Sequence, residues 1–528
     1  IQPALCTFYA TAAAFDLTLA VIDVRNCFQN NMIDPDKRVF VRTPPRYMEW
    51  FKRTFPDVTA PHSPSGKYVN QTMGTMQGEK DAGRSWYLRV KAVCEAYDLI
   101  PCPAEIDLFV LIRTVENERQ ILLVAGSVDD FACAYSHEHL FAGFKVHIDK
   151  YVPTTVQTGH VLKYLNQRVI QTDQVISFDQ SHHIKTNVID FFFPPNSTER
   201  VKGSDTPYRT DSQYEKDLNE TLPATKEVPR DLEKQYGASY HTQIVMLMHI
   251  FQVSQFTTGF LVTRLAQFAS CPNKPVFEGI RRIARHLVTH PHTPIFYPRQ
   301  KMKGYQTIQL EVQPGQVIRQ LISNLPVGFA DSDHARDKKT RESISCVIFT
   351  INCVIVHWII GKQSCIAAHS TESEIRAYYT AVQFLKYFRV LLTWLGHDMT
   401  EPTTIFEDNQ PAIDIMEGGQ ITSRVKHMAV PIAIIQEACD QAILDISGID
   451  GRLNPPDMGT KPLPSSSLHR HARWLRGQRF YPSPMSEHGI LMEVARVNQR
   501  INDIEHNRPE NLIKLKDLED VGAVYDKK

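Results

Sequence analysis

Along the first 150 residues, apolar positions switch between a helical and an extended rhythm. Thr11 to Leu19 has helical spacing, whereas Ala20 to Val24 and Ile121 to Val124 are short unbroken apolar runs of the kind buried strands make. From Asn196 to about Gly237 the rhythm is lost and Pro, Ser, Thr, Asp and Glu cluster, which predicts a long loop or linker. Helical spacing returns over Tyr240 to Ser270 and Val276 to Val288, and strands resume near Pro326. The most apolar stretch, Cys346 to Gly361, is too short to cross a bilayer and contains Asn352 and His357; it predicts two buried strands turning near Asn352. A helix through residues 374–395, a strand at Thr403 to Phe406 and another helix follow. Residues 466–528 are mostly polar and predict a partly helical tail; no internal repeat is visible.

At 528 residues the chain exceeds what one core holds, so several domains are expected. Lys plus Arg and Asp plus Glu balance at 58 each, so any basic surface for nucleic acid must be local. The ten cysteines stand singly, without a C-x-x-C pair or zinc spacing, and predict free thiols in a reducing compartment and no structural zinc. The chain starts at Ile1 without a secretory signal, which predicts a piece of something longer; Asn196-Ser197-Thr198 then reads as a chance sequon.

Two sets of acids change the picture. Asp129-Asp130 follow the apolar run Ile121 to Ala125, and Phe131-Ala132-Cys133-Ala134-Tyr135 come after them. Adjacent acids at the turn of a buried hairpin are costly unless a cation neutralises them, although a pair alone also fits a solvated turn. Asp23 ends a second apolar run, Leu19 to Ile22, with Phe28 five residues on; Gln77-Gly78 open a turn into a helix between the two places. Phosphoryl transfer with two divalent ions needs carboxylates on rigid strands, and these positions supply them.

The second set lies late in the chain. Gly328-Phe329-Ala330-Asp331 puts an acid on a strand, Thr371-Glu372-Ser373-Glu374 opens a helix, Thr403 to Asp408 ends a strand in acids, and Pro455-Pro456-Asp457 puts one in a late loop or helix start. Each alone reads as an exposed acid or a favourable charge at a helix start. Four acids at a strand end, a helix start, a strand end and a late loop are harder to dismiss, since two-ion cleavage uses acids from separate elements.

Asp23-Val-Arg-Asn-Cys-Phe28, Gln77-Gly78 and Val128-Asp129-Asp130 resemble the palm motifs of reverse transcriptases. Val39-Phe-Val-Arg-Thr-Pro-Pro45, Gly83-Arg84-Ser85-Trp86-Tyr87 and Ile106-Asp107-Leu108-Phe109-Val110 resemble the copia-type LTR retrotransposon family in particular. The later motifs resemble that family's ribonuclease H: Lys362-Gln363-Ser364, Ser370-Thr-Glu-Ser-Glu374, Glu407-Asp-Asn-Gln-Pro-Ala-Ile413, Ser423-Arg-Val-Lys-His427 and Thr460-Lys-Pro-Leu463 fall in its order. The chain departs from the family at Ser127, where Tyr is usual, and in having no histidine between His427 and Asp457.

The resemblance implies an α/β (α+β) multidomain protein. Residues 1–195 would be a reverse-transcriptase palm with partial fingers, 196–237 a polar linker, 238–320 a helical thumb or connection region, 321–465 a ribonuclease H-like mixed sheet with flanking helices, and 466–528 a basic, then polar, tail. Asp23, Asp129 and Asp130 would bind ions in one site, and Asp331, Glu374, Asp408 and Asp457 in the other, with Glu374 preferred to Glu372 for its helix register. Phe28 would reject a ribose 2′-OH, and Gln77 and Gly78 would contact nucleotide or template. Arg84, Arg281, Arg282 and Arg473 would contact nucleic acid, with stacking from Trp474 and with solvated helix faces as the alternative; His427 would be structural or a backbone contact. The implied cofactor is Mg²⁺ or Mn²⁺. The implied partners are RNA template, DNA primer, RNA–DNA hybrid, dNTPs and the integrase of the same polyprotein, with no membrane. The setting would be a cytoplasmic particle, with the nucleus as a further location. The rival readings are a nuclease without polymerase function and a non-enzymatic nucleic-acid binder.

Overall fold

The computed structural model describes residues 2–31, 39–58, 69–72, 74–76, 79–194, 201–220, 227–337, 340–419 and 425–478. The chain divides into two units, Leu19–Gln157 and a larger one of Ile1–Thr18 with Thr158–Lys528. Mixed helix and sheet in both makes it an α/β multidomain protein.

The smaller unit contains β1 (Thr18–Val24), β2 (Phe40–Arg42), β3 (Val69–Gln71), β4 (Ile100–Pro101), β5 (Leu108–Val115), β6 (Glu118–Ser127), β7 (Asp130–Tyr135) and β8 (Thr154–Gln157). Six form one sheet in the order β4-β5-β6-β7-β1-β8, and β2 pairs with β3. The apolar runs of β1 and β6 are unbroken because both strands are interior. Ile22, Val24, Leu122 and Val124 share one core with Trp86 and Cys94 of the helix Ala82–Glu95 and with Phe141 and Phe144 of the helix Glu138–Ile148. Each such buried side chain contributes roughly 1.5–3 kcal/mol.

In the larger unit, β9 (Val161–Tyr164), β10 (Gln167–Gln171), β11 (Val175–Asp179) and β12 (Ile295–Pro298) form a four-stranded sheet, and β13 (Tyr305–Gln313) and β14 (Gln316–Ser323) a hairpin. A five-stranded sheet follows, made of β15 (Val327–Ser332), β16 (Ile344–Ile351), β17 (Val354–Lys362), β18 (Thr403–Glu407) and β19 (Leu444–Gly448), in the order β17-β16-β15-β18-β19. Its first three strands are antiparallel, whereas β15–β18 and β18–β19 are parallel. The hairpin turns at Asn352 and Cys353, both at positive φ (50° and 58°), as the apolar stretch predicts. The helix Ser370–Trp394 buries Ile375, Tyr378, Val382 and Leu385, at helical three-to-four spacing, and packs on β15 and β16.

Several boundaries differ from the sequence-based expectation. The helix Gln2–Ala14, expected within a palm of 1–195, belongs to the larger unit: Tyr9 packs on Phe178 with ring centroids 5.4 Å apart, and Thr11 hydrogen-bonds His397 at 2.8 Å. Residues 158–194 also fall in that unit. The linker of 196–237 carries the helices Ser212–Glu220 and Glu227–Tyr236, anchored by few apolar side chains in polar sequence, among them Tyr236 stacked on Phe277 at 4.9 Å. The helical region of 238–320 ends in β12, β13 and much of β14. The tail begins with the helix Ser465–Leu475, which buries Leu468, Trp474 and Leu475. Among the described residues no helix is long and apolar enough to cross a membrane.

Candidate active site

Parallel pairing builds the late acid cluster. Gly328 pairs with Ile405 and Phe329 with Phe406, so the same register two positions on sets Asp331 level with Asp408. Gly328 is required by this close approach, since a Cβ there would lie 2.9 Å from Ile405 Cγ1 and 3.0 Å from the Phe349 ring. The helix Ser370–Trp394 brings Glu374 to the same place, where the Ser332 backbone N–H donates to Glu374 Oε2 at 2.8 Å. Carboxylate oxygens of Asp331, Glu374 and Asp408 lie within 4.8 Å of one another. Asp457 starts the short helix Asp457–Thr460; Thr460, at its other end, donates its hydroxyl to Asp331 Oδ2, and Lys461 ion-pairs with Asp457.

Like charges in a buried place raise one another's pKa. Burial, then Asp457 and Asp408, push Asp331 well above the usual carboxylate range. Burial, then Asp331, do the same to Glu374. Burial pushes Asp457 up to about 6 against the pull of Lys461. Such a set is uncomfortable without a further cation, and its all-oxygen donors suit a hard divalent ion.

Glu372 has a different life. Its Oε1 lies 2.7 Å from Arg376 Nη2 and 2.8 Å from His427 Nε2, and its Oε2 accepts the Ala368 N–H at 2.9 Å. Burial opposes its ionisation, but these hydrogen bonds outweigh burial and hold it at about 2. It is a satisfied ion pair at the helix start, and it occupies His427.

In the smaller unit Asp23 lies on β1, where its Oδ2 accepts the Thr155 hydroxyl at 3.0 Å. Asp129 lies in the β6–β7 turn, and the Val24 N–H donates to its carbonyl at 2.8 Å. Val128 holds φ 55°, a left-handed conformation a β-branched residue adopts only under constraint; the Trp86 indole N–H donates to its carbonyl. Burial, then Asp129 and Asp23, raise the pKa of Asp130. Asp130 thus feels the other two acids, yet among the described residues the three do not form a cluster with ligand atoms within 4.8 Å.

Over 480 residues the chain is 23% identical to the retrovirus-related Pol polyprotein from transposon RE1 of Arabidopsis thaliana, covering 88% of the chain and 28% of the relative. It is 22% identical over 464 residues to that from transposon TNT 1-94 of Nicotiana tabacum, covering 88% and 31%. The chain is similar to these transposon Pol polyproteins over most of its own length. It spans less than a third of these Pol relatives' length. No family model matches. Among solved structures, an RNase H1 isolated from compost covers 26% of the chain and 93% of its own at 17% identity. A foamy viral protease-reverse transcriptase in complex with double-stranded DNA covers 85% and 60% at 9% identity. Both have a TM-score of 0.20, too low for either to carry weight.

The other residues singled out from the sequence have varied places. Gln77 and Gly78 lie outside the described residues. Phe28 is half-buried against the core of the smaller unit, and Arg84 is exposed on the helix Ala82–Glu95. Arg281 lies over the rings of Phe193 and Tyr236, and Arg282 donates to Thr206, so both tie the 193–236 region to the helix Lys274–Thr289. Arg473 is exposed, but Trp474 is buried edge-on against Phe329 at 5.8 Å and offers no stacking face. Its tryptophan was expected beside a nucleic acid because the surrounding arginines and histidines look like a surface.

Glu407, Asn454 and Thr460 had no assigned role from sequence. Glu407 is fully buried, its Oε1 accepts the N–H groups of Asp408 and Asn409, and its Oε2 has no hydrogen-bond partner among the described residues. Burial, then Asp408 and Asp331, raise its pKa well above normal. Asn454 donates to the Ala330 carbonyl at 3.2 Å and hydrogen-bonds Asp408. Only Thr460 had a signal: it follows Asp457 by three residues, one helical turn.

Proposed function

We propose that the chain is the reverse transcriptase and ribonuclease H part of a copia-type retrotransposon polyprotein, and that its late site hydrolyses the RNA strand of an RNA–DNA hybrid. The reading rests above all on the cluster of Asp331, Glu374 and Asp408, with ligand atoms within 4.8 Å on a mixed sheet. Mg²⁺, or Mn²⁺ in its place, fits the buried all-carboxylate donor set, and Asp331, Glu374, Asp408 and Asp457 would hold it. Bound there, it supplies Lewis-acid polarisation of the phosphodiester and a more acidic water.

The chain's own groups prepare the site. The Ser332 N–H and Thr460 hydroxyl fix the carboxylates of Glu374 and Asp331. Lys461 offsets charge at Asp457. Glu407 is held by the N–H groups of Asp408 and Asn409, which fixes the end of the strand that leads into Asp408. His427 is committed to Glu372, so proton transfer falls to water.

The smaller unit would extend a DNA primer on RNA or DNA template from dNTPs, with Asp23, Asp129 and Asp130 holding Mg²⁺ and Phe28 rejecting ribose. In a retrotransposon this happens in a cytoplasmic particle, beside the integrase. A nuclease without polymerase activity is the second reading, favoured by the looser palm acids. The test is metal-dependent cleavage of a labelled hybrid by the chain and by Asp408→Asn, alongside primer extension by the chain and by Asp129→Asn with Asp130→Asn. Cleavage lost in Asp408→Asn supports the nuclease, and extension lost in the double variant supports the polymerase. A folded chain that neither cuts nor extends sinks both and leaves a binder.

A further inference from the structure

Another set of ligating side chains, sharing no residue with the acids above, converges in the larger unit from three elements. Asp205 lies in the segment before the helix Ser212–Glu220, His290 caps the helix Lys274–Thr289 at its C-terminus, and His469 belongs to the helix Ser465–Leu475. His290 Nε2 lies 3.2 Å and His469 Nε2 3.0 Å from the same oxygen, Asp205 Oδ1. The three ligand atoms lie within 4.8 Å of one another, and the imidazole rings are 4.9 Å apart.

We propose that Asp205, His290 and His469 form a binding site for a divalent transition ion of the Zn²⁺ class, which fastens the helix Ser465–Leu475 to the helix Lys274–Thr289. An ion holding ligands at roughly 2.0–2.2 Å sets adjacent ligand atoms about 3.0–3.5 Å apart, and both nitrogen–oxygen separations fall there. Two imidazole nitrogens with one carboxylate favour Zn²⁺, Ni²⁺ or Fe²⁺ over Mg²⁺, which prefers oxygen. The donor set therefore differs in kind from the carboxylates at Asp331.

The site is prepared before any ion arrives. Ser465 donates to Asp205 Oδ2, leaving Oδ1 turned to the imidazoles. His286 lies tilted beside His290 with ring centroids 4.8 Å apart and its Nδ1 3.2 Å from the Ser204 carbonyl, so the residue before Asp205 is tied to the same helix. Side-chain exposures of 28% for His290, 29% for His469 and 58% for Asp205 leave an entry path and a remaining position for water. Cysteine spacing could not reveal such a site, because its ligands are histidines and an aspartate brought together from residues 205, 290 and 469.

The test is calorimetric titration of the metal-stripped full chain with Zn²⁺ in saturating Mg²⁺. Asp205→Asn and a His290→Gln, His469→Gln double variant are run beside it, with folding checked by circular dichroism. The chain is expected to take up one Zn²⁺ that the double variant does not, and to gain thermal stability from it. Asp205→Asn, whose amide oxygen can still accept from both histidines, is expected to bind more than about a hundredfold more weakly. Equal Zn²⁺ uptake by the chain and a folded double variant overturns the proposal, and so does affinity unchanged in Asp205→Asn. If the double variant fails to fold, Asp205→Asn decides alone.

Discussion

The backbone N–H of Ser332 donates to Glu374 Oε2 at 2.8 Å, fastening the start of a long helix to the end of the strand that carries Asp331. Two residues earlier on the same helix, Glu372 is held by Arg376 and His427. One helix turn thus contains a strained acid and a satisfied one.

That contrast separates their variants. Glu374→Gln should lower hybrid cleavage more than about a hundredfold with little loss of stability. Glu372→Gln should cost about 1.5–3 kcal/mol, the worth of hydrogen bonds to a charged group, and leave cleavage largely intact. Urea unfolding and cleavage rates on both proteins decide it, and the reverse pattern would reassign the ligand.

Repulsion among buried acids destabilises the metal-free chain. Asp331→Asn should therefore raise the unfolding free energy in EDTA, read by urea unfolding, because it removes one of the mutually repelling carboxyls. The same variant should lose most of the stabilisation that Mg²⁺ gives the parent. A parent chain whose thermal midpoint ignores Mg²⁺ would count against an ion at these acids.

Gly451 allows the Asp408 carboxylate its position, since a Cβ at Gly451 would lie 2.7 Å from Asp408 Oδ2. Gly451→Ala should displace that carboxylate and slow cleavage on the order of a hundredfold. Its stability should change by less than about 1 kcal/mol, because the clash falls on the end of a side chain. Unchanged cleavage would mean that Asp408 need not stand where it does.

His357 is stacked on Phe384 with centroids 3.9 Å apart, and burial lowers its pKa from 6.5 to about 3. Between these values the unfolded chain binds a proton that the folded chain refuses, so stability falls as pH drops below 6.5. From pH 7 to pH 5.5 the chain should lose about 1 kcal/mol more than His357→Phe, read by urea unfolding. Parallel losses in both proteins would remove His357 from the account.

The strands that carry Asp23 and Asp331, and those that lead into Asp129 and Asp408, were legible because interior strands need unbroken apolar runs. The hairpin turning at Asn352 was legible for the same reason. The helices within 212–236 were not, since their few anchors, such as Tyr236 on Phe277, are diluted by polar residues. Trp474 was misread because a basic local sequence does not reveal which face of its helix is buried.

The sequence by itself determined the kinds and order of the acids, and the local periodicity that sets each on a strand end or helix start. Helix register already favoured Glu374 over Glu372, but only the tertiary structure set Glu374 beside Asp331 and Asp408 and gave Glu372 to His427, because those contacts join segments far apart along the chain. The tertiary structure also decided that the helix Gln2–Ala14 packs with residues beyond 158, and that Asp205, His290 and His469 meet. Propensity and periodicity act over a few residues, whereas register between parallel strands and the packing of distant helices fix which charges share a dielectric and which find a counter-ion.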